Sequence, residues 1–138
     1  MDFPADCTET VRFPKIVCKE KSANITFINR SRDDVKKIQI DNCVITDGIR
    51  CDWLVVNNEG KEHFVELKGG DVPHAIKQIE RSVKEVSADS RTQAKACFIV
   101  SKNNPLNSTQ TNILKKRFKD DYCAKLKFCG YNEEHPLT

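Results

Sequence analysis

A chain of 138 residues suits one compact domain with one core, and 38% apolar with 31% charged residues is ordinary for a globular protein. A net charge of +3 permits a nucleic-acid partner without demanding one. No apolar run reaches the length of a membrane span, and MDFPADCTET lacks the basic and apolar regions of a signal peptide, so the expected setting is the reducing cytoplasm.

Residues 1–34 read as an extension without a helical stripe, in which Val11–Cys18 and Asn24–Asn29 form short strands punctuated by Pro4 and Pro14. Val35–Ile45 reads as a strand, Asp47-Gly48 as a hairpin signal and Ile49–Val56 as the next strand. A turn at Asn57-Asn58-Glu59-Gly60 leads into His63–Lys68, which completes a three-stranded antiparallel meander. Asp71 is a fair N-cap and Pro73 fits the first turn of a helix over Pro73–Ser87. Ile76, Ile79, Val83 and Val86 form its apolar stripe; His74, Gln78, Arg81 and Glu85 fall on the opposite side.

Lys95–Val100 is a continuous apolar run, as expected of a buried central strand. With the helix before it, the run predicts a right-handed βαβ unit. Ser108 or Thr109 would cap a second helix ending near Cys123 and packed through Ile113, Leu114, Phe118 and Tyr122. Lys125–Tyr131 would form an edge strand, and the tail NEEHPLT a loose end. The fold class expected is a mixed α/β sheet protein in a single domain, residues 1–138.

Seven cysteines are many for this length. A disulfide framework needs export, so Cys43, Cys51 and Cys97, in strand-like runs, are read as small buried hydrophobes. Cys7, Cys18, Cys123 and Cys129 show no CxxC spacing, so a structural zinc site has only a weak pattern behind it. Trp53 is assigned to the core.

The chemistry concentrates in Ile49–Lys68. Side chains alternate along a strand, so Glu66 and Lys68 share a face while Val65 and Leu67 take the other. Burying carboxylates and a lysine is expensive unless they act on something. Two carboxylates from neighbouring strands, Asp52 and Glu66, can hold one Mg²⁺ or Mn²⁺, with the Leu67 carbonyl as a further ligand and water and phosphate oxygens completing the shell. Lys68 would then orient the attacking water or stabilise the transition-state charge.

Asp52, followed fourteen residues later by Glu66-Leu67-Lys68 across a turn, resembles the D…ExK signature of the PD-(D/E)xK nuclease superfamily. The resemblance covers residues 35–102, where the order of meander, helix and buried strand matches the restriction-endonuclease-like core. It implies Asp52 and Glu66 as metal ligands, Lys68 as the catalytic lysine and Gln78 as a helix residue facing the site. His74, one turn before Gln78, could join it. The superfamily usually carries a helix and an acid before the meander. Residues 1–34 do not read as that helix, with Glu9 and Glu20 the nearest acids, and Asp41 is a rival ligand.

The function implied is a metal-dependent nuclease cutting phosphodiester bonds, in DNA rather than RNA, acting as a homodimer or beside an accessory protein. A non-catalytic module binding nucleic acid or protein on the same fold is the alternative, and a small cysteine-based metal or redox protein a third. Each site residue also has a plainer role: Glu66 and Lys68 as an exposed cross-strand pair, and His74, Gln78 and Arg81 as a solvated helix face. Lys115, Lys116, Arg117 and Lys119 could track a phosphate backbone, or form only a wet surface.

Overall fold

The computed structural model describes residues 3–67 and 71–137. In chain order the strands and helices are β1 (Thr8–Val11), β2 (Lys15–Glu20), β3 (Ala23–Ile28), β4 (Val35–Gln39), β5 (Trp53–Val56), β6 (Glu62–Leu67), α1 (Val72–Val86), β7 (Lys95–Val100), α2 (Ser108–Tyr122), β8 (Ala124–Cys129) and β9 (Glu133–Pro136). Six strands form one mixed sheet in the order β1-β4-β5-β6-β7-β8. Its β1–β6 half is antiparallel, and β6, β7 and β8 run parallel through α1 and α2. A smaller sheet, β2-β3-β9, is separate from it.

The molecule is layered, with helices on one face of the large sheet and the small sheet on the other. Alternation along the strands sorts the core in two. Phe64, Cys97, Ile99 and Leu126 pack with α1 and α2, while Val65, Leu67, Phe98 and Val100 pack with Ile16, Ile25 and Phe27 of the small sheet. Each fully buried Leu, Ile or Phe contributes about 1.5–3 kcal/mol. Because both faces of β6 and β7 are covered, both strands are buried throughout.

α1 follows its sequence signals. Asp71 accepts the His74 N–H at 3.1 Å, Pro73 lies in the first turn, and Ile76, Ile79, Val83 and Val86 are buried. α2 is capped one residue earlier than Ser108. Asn107 accepts the Gln110 N–H at 2.8 Å while the Gln110 side chain accepts the Asn107 N–H at 2.9 Å, a reciprocal capping box. Phe118 and Tyr122 are buried as expected, but Ile113 is 64% exposed. α2 also reaches α1 through polar contacts. Glu80 receives the Tyr122 hydroxyl at 2.6 Å and the Arg117 guanidinium at 2.5 Å.

The meander is present with shorter strands than expected. β4 stops at Gln39 because Ile40–Ile45 folds into a tight turn, with the Cys43 and Ile45 N–H groups donating to the Ile40 carbonyl at 3.2 and 3.0 Å. Asp47-Gly48 therefore lies in a longer loop instead of a two-residue hairpin turn, and the next strand starts only at Trp53. The turn places Cys43 against the Ala5–Cys7 3-10 turn, and Cys7 and Cys43 form a disulfide with a Cα separation of 5.7 Å. The reading of Cys43 as a plain buried hydrophobe is thus corrected; Cys51 and Cys97 are buried free thiols. Trp53 is only half-buried, with the Lys37 ammonium 4.5 Å above its ring.

Residues 1–34 carry no α-helix among the described residues; they supply β1 to the large sheet and most of the small one. The tail is not loose, since β9 pairs in parallel with β3. Between β5 and β6 the turn is as expected. Asn57 Oδ1 accepts the Glu59 and Lys61 N–H groups at 3.0 and 2.9 Å, and Gly60 has φ +85°. A side chain at Gly60 would meet open space, so only backbone strain opposes it. Gly60→Ala is expected to cost about 1 kcal/mol in urea unfolding; an unchanged midpoint would show that the turn relaxes.

Candidate metal-binding site

The site sits where β6 ends beside the start of β5 and the loop before it. The Asp52 N–H donates to the Val65 carbonyl at 3.1 Å, and its Oδ2 accepts the Leu67 N–H at 2.7 Å. This fixes Asp52 across the end of β6. Glu66 lies on the face of β6 that carries Phe64 and Glu62, towards the helices. It is 6% exposed, which removes the exposed cross-strand pair as a role for it.

Glu62 and Glu66 share a strand, a face and near-complete burial, yet their surroundings differ. Glu62 accepts the Ser87 hydroxyl at 2.6 Å and the Ala88 N–H at 2.8 Å. Glu66 Oε1 is buried with no hydrogen-bond partner among the described residues. The polar group beside it is the Asp52 carboxyl, another acceptor, so the two can only share a proton. Burial, then the Asp52 charge, pushes Glu66 up to about 9. Burial also pushes Asp52 up to about 6, against the opposing Leu67 hydrogen bond. Asp41 and Glu20 add negative charge that raises both.

Asp52 opens into a cleft of about 390 Å³ lined by Asp41, Gly48, Ile49, Arg50, His74 and Gln78. Polar groups of α1 hold the cleft wall. Gln78 donates to the Arg50 carbonyl at 3.1 Å, Arg81 to the carbonyls of Asp47 and of Ile49, and Ser82 Oγ accepts the Cys51 N–H at 2.8 Å. Arg50 pairs with Asp41 at 2.7 Å.

The residues singled out in the sequence therefore separate into groups. Asp52, His74 and Gln78 line one cleft with Asp41, and Glu66 lies buried beside Asp52. Arg81 is spent on backbone carbonyls and on Asp47, at 3.6 Å. Lys68 lies outside the described residues. Glu9 faces a different groove, with Phe13 and Lys37. The α2 cations lie elsewhere. Lys116 is paired with Asp120 at 2.6 Å and Arg117 with Glu80. Lys115 and Lys119 line a groove with Lys61, Lys125 and Lys127 at the end of the sheet where Glu62 is level with Lys95. Asp52 belongs to the opposite end, where Leu67 is level with Val100. Five residues of strand, about 16 Å, separate these ends.

Arg50 was not legible as a site residue. Glu20, one of the two nearest acids before the meander, ends β2, and the docking of the small sheet brings its charge near Asp52.

Asp52 on the cleft, with Glu66 buried beside it and one of its oxygens unpartnered, makes a donor set suited to a hard divalent cation. Asp52, Glu66 and the Leu67 carbonyl would hold it. No protein-family model, no curated protein and no solved structure matches this chain.

Proposed function

We propose that the protein is a metal-dependent nuclease of the PD-(D/E)xK type, with β4–β7 and α1 as a restriction-endonuclease-like core. The observation that carries this reading is the contrast on β6: Glu62 is fully hydrogen-bonded, whereas Glu66 is buried against Asp52 with an oxygen left over. A buried acceptor beside a second acid is costly until a cation neutralises both. Bound Mg²⁺ or Mn²⁺ supplies positive charge for the phosphate and a more acidic water.

The chain's own groups do the rest. Asp52 is oriented by the Leu67 N–H, so its free oxygen is directed for coordination. Gln78, by holding the Arg50 carbonyl, fixes the loop that carries Asp52, and His74 lines the same cleft within reach of a phosphate oxygen. Lys68, two residues after Glu66 in the sequence, would orient the attacking water or offset charge on the phosphorane. Water adds to phosphorus, the P–O bond to the leaving strand breaks, and one product keeps the phosphate. DNA is the proposed substrate, cut by a dimer or beside an accessory protein.

Nicking of supercoiled plasmid and degradation of single-stranded DNA in Mg²⁺ or Mn²⁺ tests the reading. Wild-type protein should cut, and Asp52→Ala, Glu66→Ala and Lys68→Ala should not. Equal cutting by all four would refute the mechanism. Nucleic-acid binding with no calorimetric response to Mn²⁺ would mark the protein as a binding module.

A further inference from the structure

The last turn of the chain gathers a second set of donors. Cys129 ends β8, the edge strand of the large sheet; Glu133 and His135 alternate on β9, in the small sheet, and both face inward. Their ligand atoms all lie within 4.8 Å of one another. Cys129 Sγ is 3.5 Å from His135 Nε2, which is 3.0 Å from Glu133 Oε1.

A thiol, an imidazole and a carboxylate also make up a nucleophile relay, but the geometry argues against one. In a relay the base uses one ring nitrogen for the nucleophile and the other for the carboxylate. Here one nitrogen, Nε2, faces both partners. The thiol is also buried.

Three donors converging on one point are instead the arrangement of a metal site. A tetrahedral zinc ion at about 2.3 Å from sulfur and about 2.0 Å from nitrogen spaces those two atoms by about 3.5 Å, the separation seen here. The outer contacts orient the donors as well. The Gly130 N–H donates to Glu133 Oε2 at 2.6 Å, leaving Oε1 directed at the imidazole. The Phe98 ring lies 5.4 Å from that of His135 and fixes its plane. Asn132, at φ 63°, is tied to Asn24 of β3 through a side-chain bond of 2.7 Å and a backbone bond of 3.2 Å.

We infer that Cys129, Glu133 and His135 bind one Zn²⁺ ion, with water in the fourth position, and that the ion fastens β8 of the large sheet to β9 of the small one. The mixed sulfur, nitrogen and oxygen set selects zinc over the hard cations proposed for Asp52 and Glu66. The two sites are distinct. Leu67, Val100 and Cys129 stand level on three successive strands, so Cys129 is two strand spacings, about 10 Å, from Leu67. Its side chain packs among the residues facing the small sheet, away from Glu66. The zinc site stands whether or not the protein is a nuclease.

The test uses the full-length chain after treatment with chelator. Titration with Co²⁺ should produce the thiolate-to-cobalt charge-transfer band at one ion per chain. Zn²⁺ should abolish the band and raise the melting temperature, and excess Mg²⁺ should do neither. Cys129→Ser should remove the band. His135→Gln and Glu133→Gln, at half-buried positions where the fold is less exposed to damage, should each weaken Zn²⁺ binding at least about tenfold. Failure of wild-type protein to give the band would overturn the assignment. So would a band that survives Cys129→Ser, or unaltered Zn²⁺ affinity in both β9 variants.

Discussion

Glu66→Gln is expected to make the protein more stable and much less active. In the folded chain Glu66 keeps its proton up to about pH 9, while in the unfolded chain it releases it in the ordinary carboxylate range, near 4.3. Across that window the folded state binds more protons, so stability falls as pH rises, by at most about 1.4 kcal/mol per pH unit for this group. Its contribution is fully present below the unfolded value and lost by the folded one. Glutamine does not ionise and removes that slope. Partial solvent access reduces the full effect, leaving a gain of about 2 kcal/mol at pH 8. That corresponds to a melting temperature higher by about 6 °C, and to no gain near pH 4.

On the nuclease reading proposed above, the same substitution would remove one cation ligand, and cleavage in Mg²⁺ should fall at least about 100-fold. A site that destabilises its own fold until it is loaded with a cation is a common compromise between stability and activity. Thermal melts from pH 4 to 9, paired with plasmid nicking, check both halves. Parallel pH–stability curves for the two proteins would contradict the burial penalty, and undiminished nicking would contradict the ligand role.

Lys95→Met should be among the most damaging single changes in the molecule. Lys95 is 2% exposed at the start of β7. Its ammonium donates to the carbonyls of Asp89, Ser90, Gln93 and Tyr122 at 3.2, 3.3, 2.5 and 2.7 Å. Asp89, Ser90 and Gln93 belong to the segment after α1, and the Tyr122 carbonyl is at the end of α2, where helix carbonyls lack partners. One cation thus closes both crossovers of the parallel half of the sheet. Methionine fills the same space but removes the ammonium donor from these carbonyls, of which the Asp89 carbonyl alone keeps a backbone donor, the Gln93 N–H, among the described residues, at a cost on the order of 3 kcal/mol. A fall in melting temperature of about 10 °C follows, measurable by circular dichroism. A melt within a degree of wild type would mean that water reaches the carbonyls and that the cage is dispensable.

Lys95 belongs to the run KACFIV expected as a buried strand, and it is buried there, but nothing local in the sequence signals the carbonyls that surround its ammonium. For the basic residues of α2, spacing places them on one helix, and the direction of α2 across the sheet puts Lys115 and Lys119 at the end away from Asp52. The pairing of Cys43 has no local signature, because its partner lies 36 residues away. The short turn at Ile40–Ile45 then brought Cys7 within bonding distance.

What the sequence determined by itself is local. The period of Ile76, Ile79, Val83 and Val86, the Asp71 cap, the Asn57–Gly60 turn and the apolar run Lys95–Val100 each arise from interactions within a few residues, so they could be read along the chain. The acids Asp52 and Glu66 were legible for the same reason, as marks on adjoining strands. Tertiary structure alone decided that Glu66 would be buried without a donor, that Glu20 and Asp41 would add charge beside it, and that Cys129 would meet Glu133 and His135. Those features depend on which strands become neighbours and on the small sheet covering the large one, contacts between segments far apart in the chain that no local period encodes.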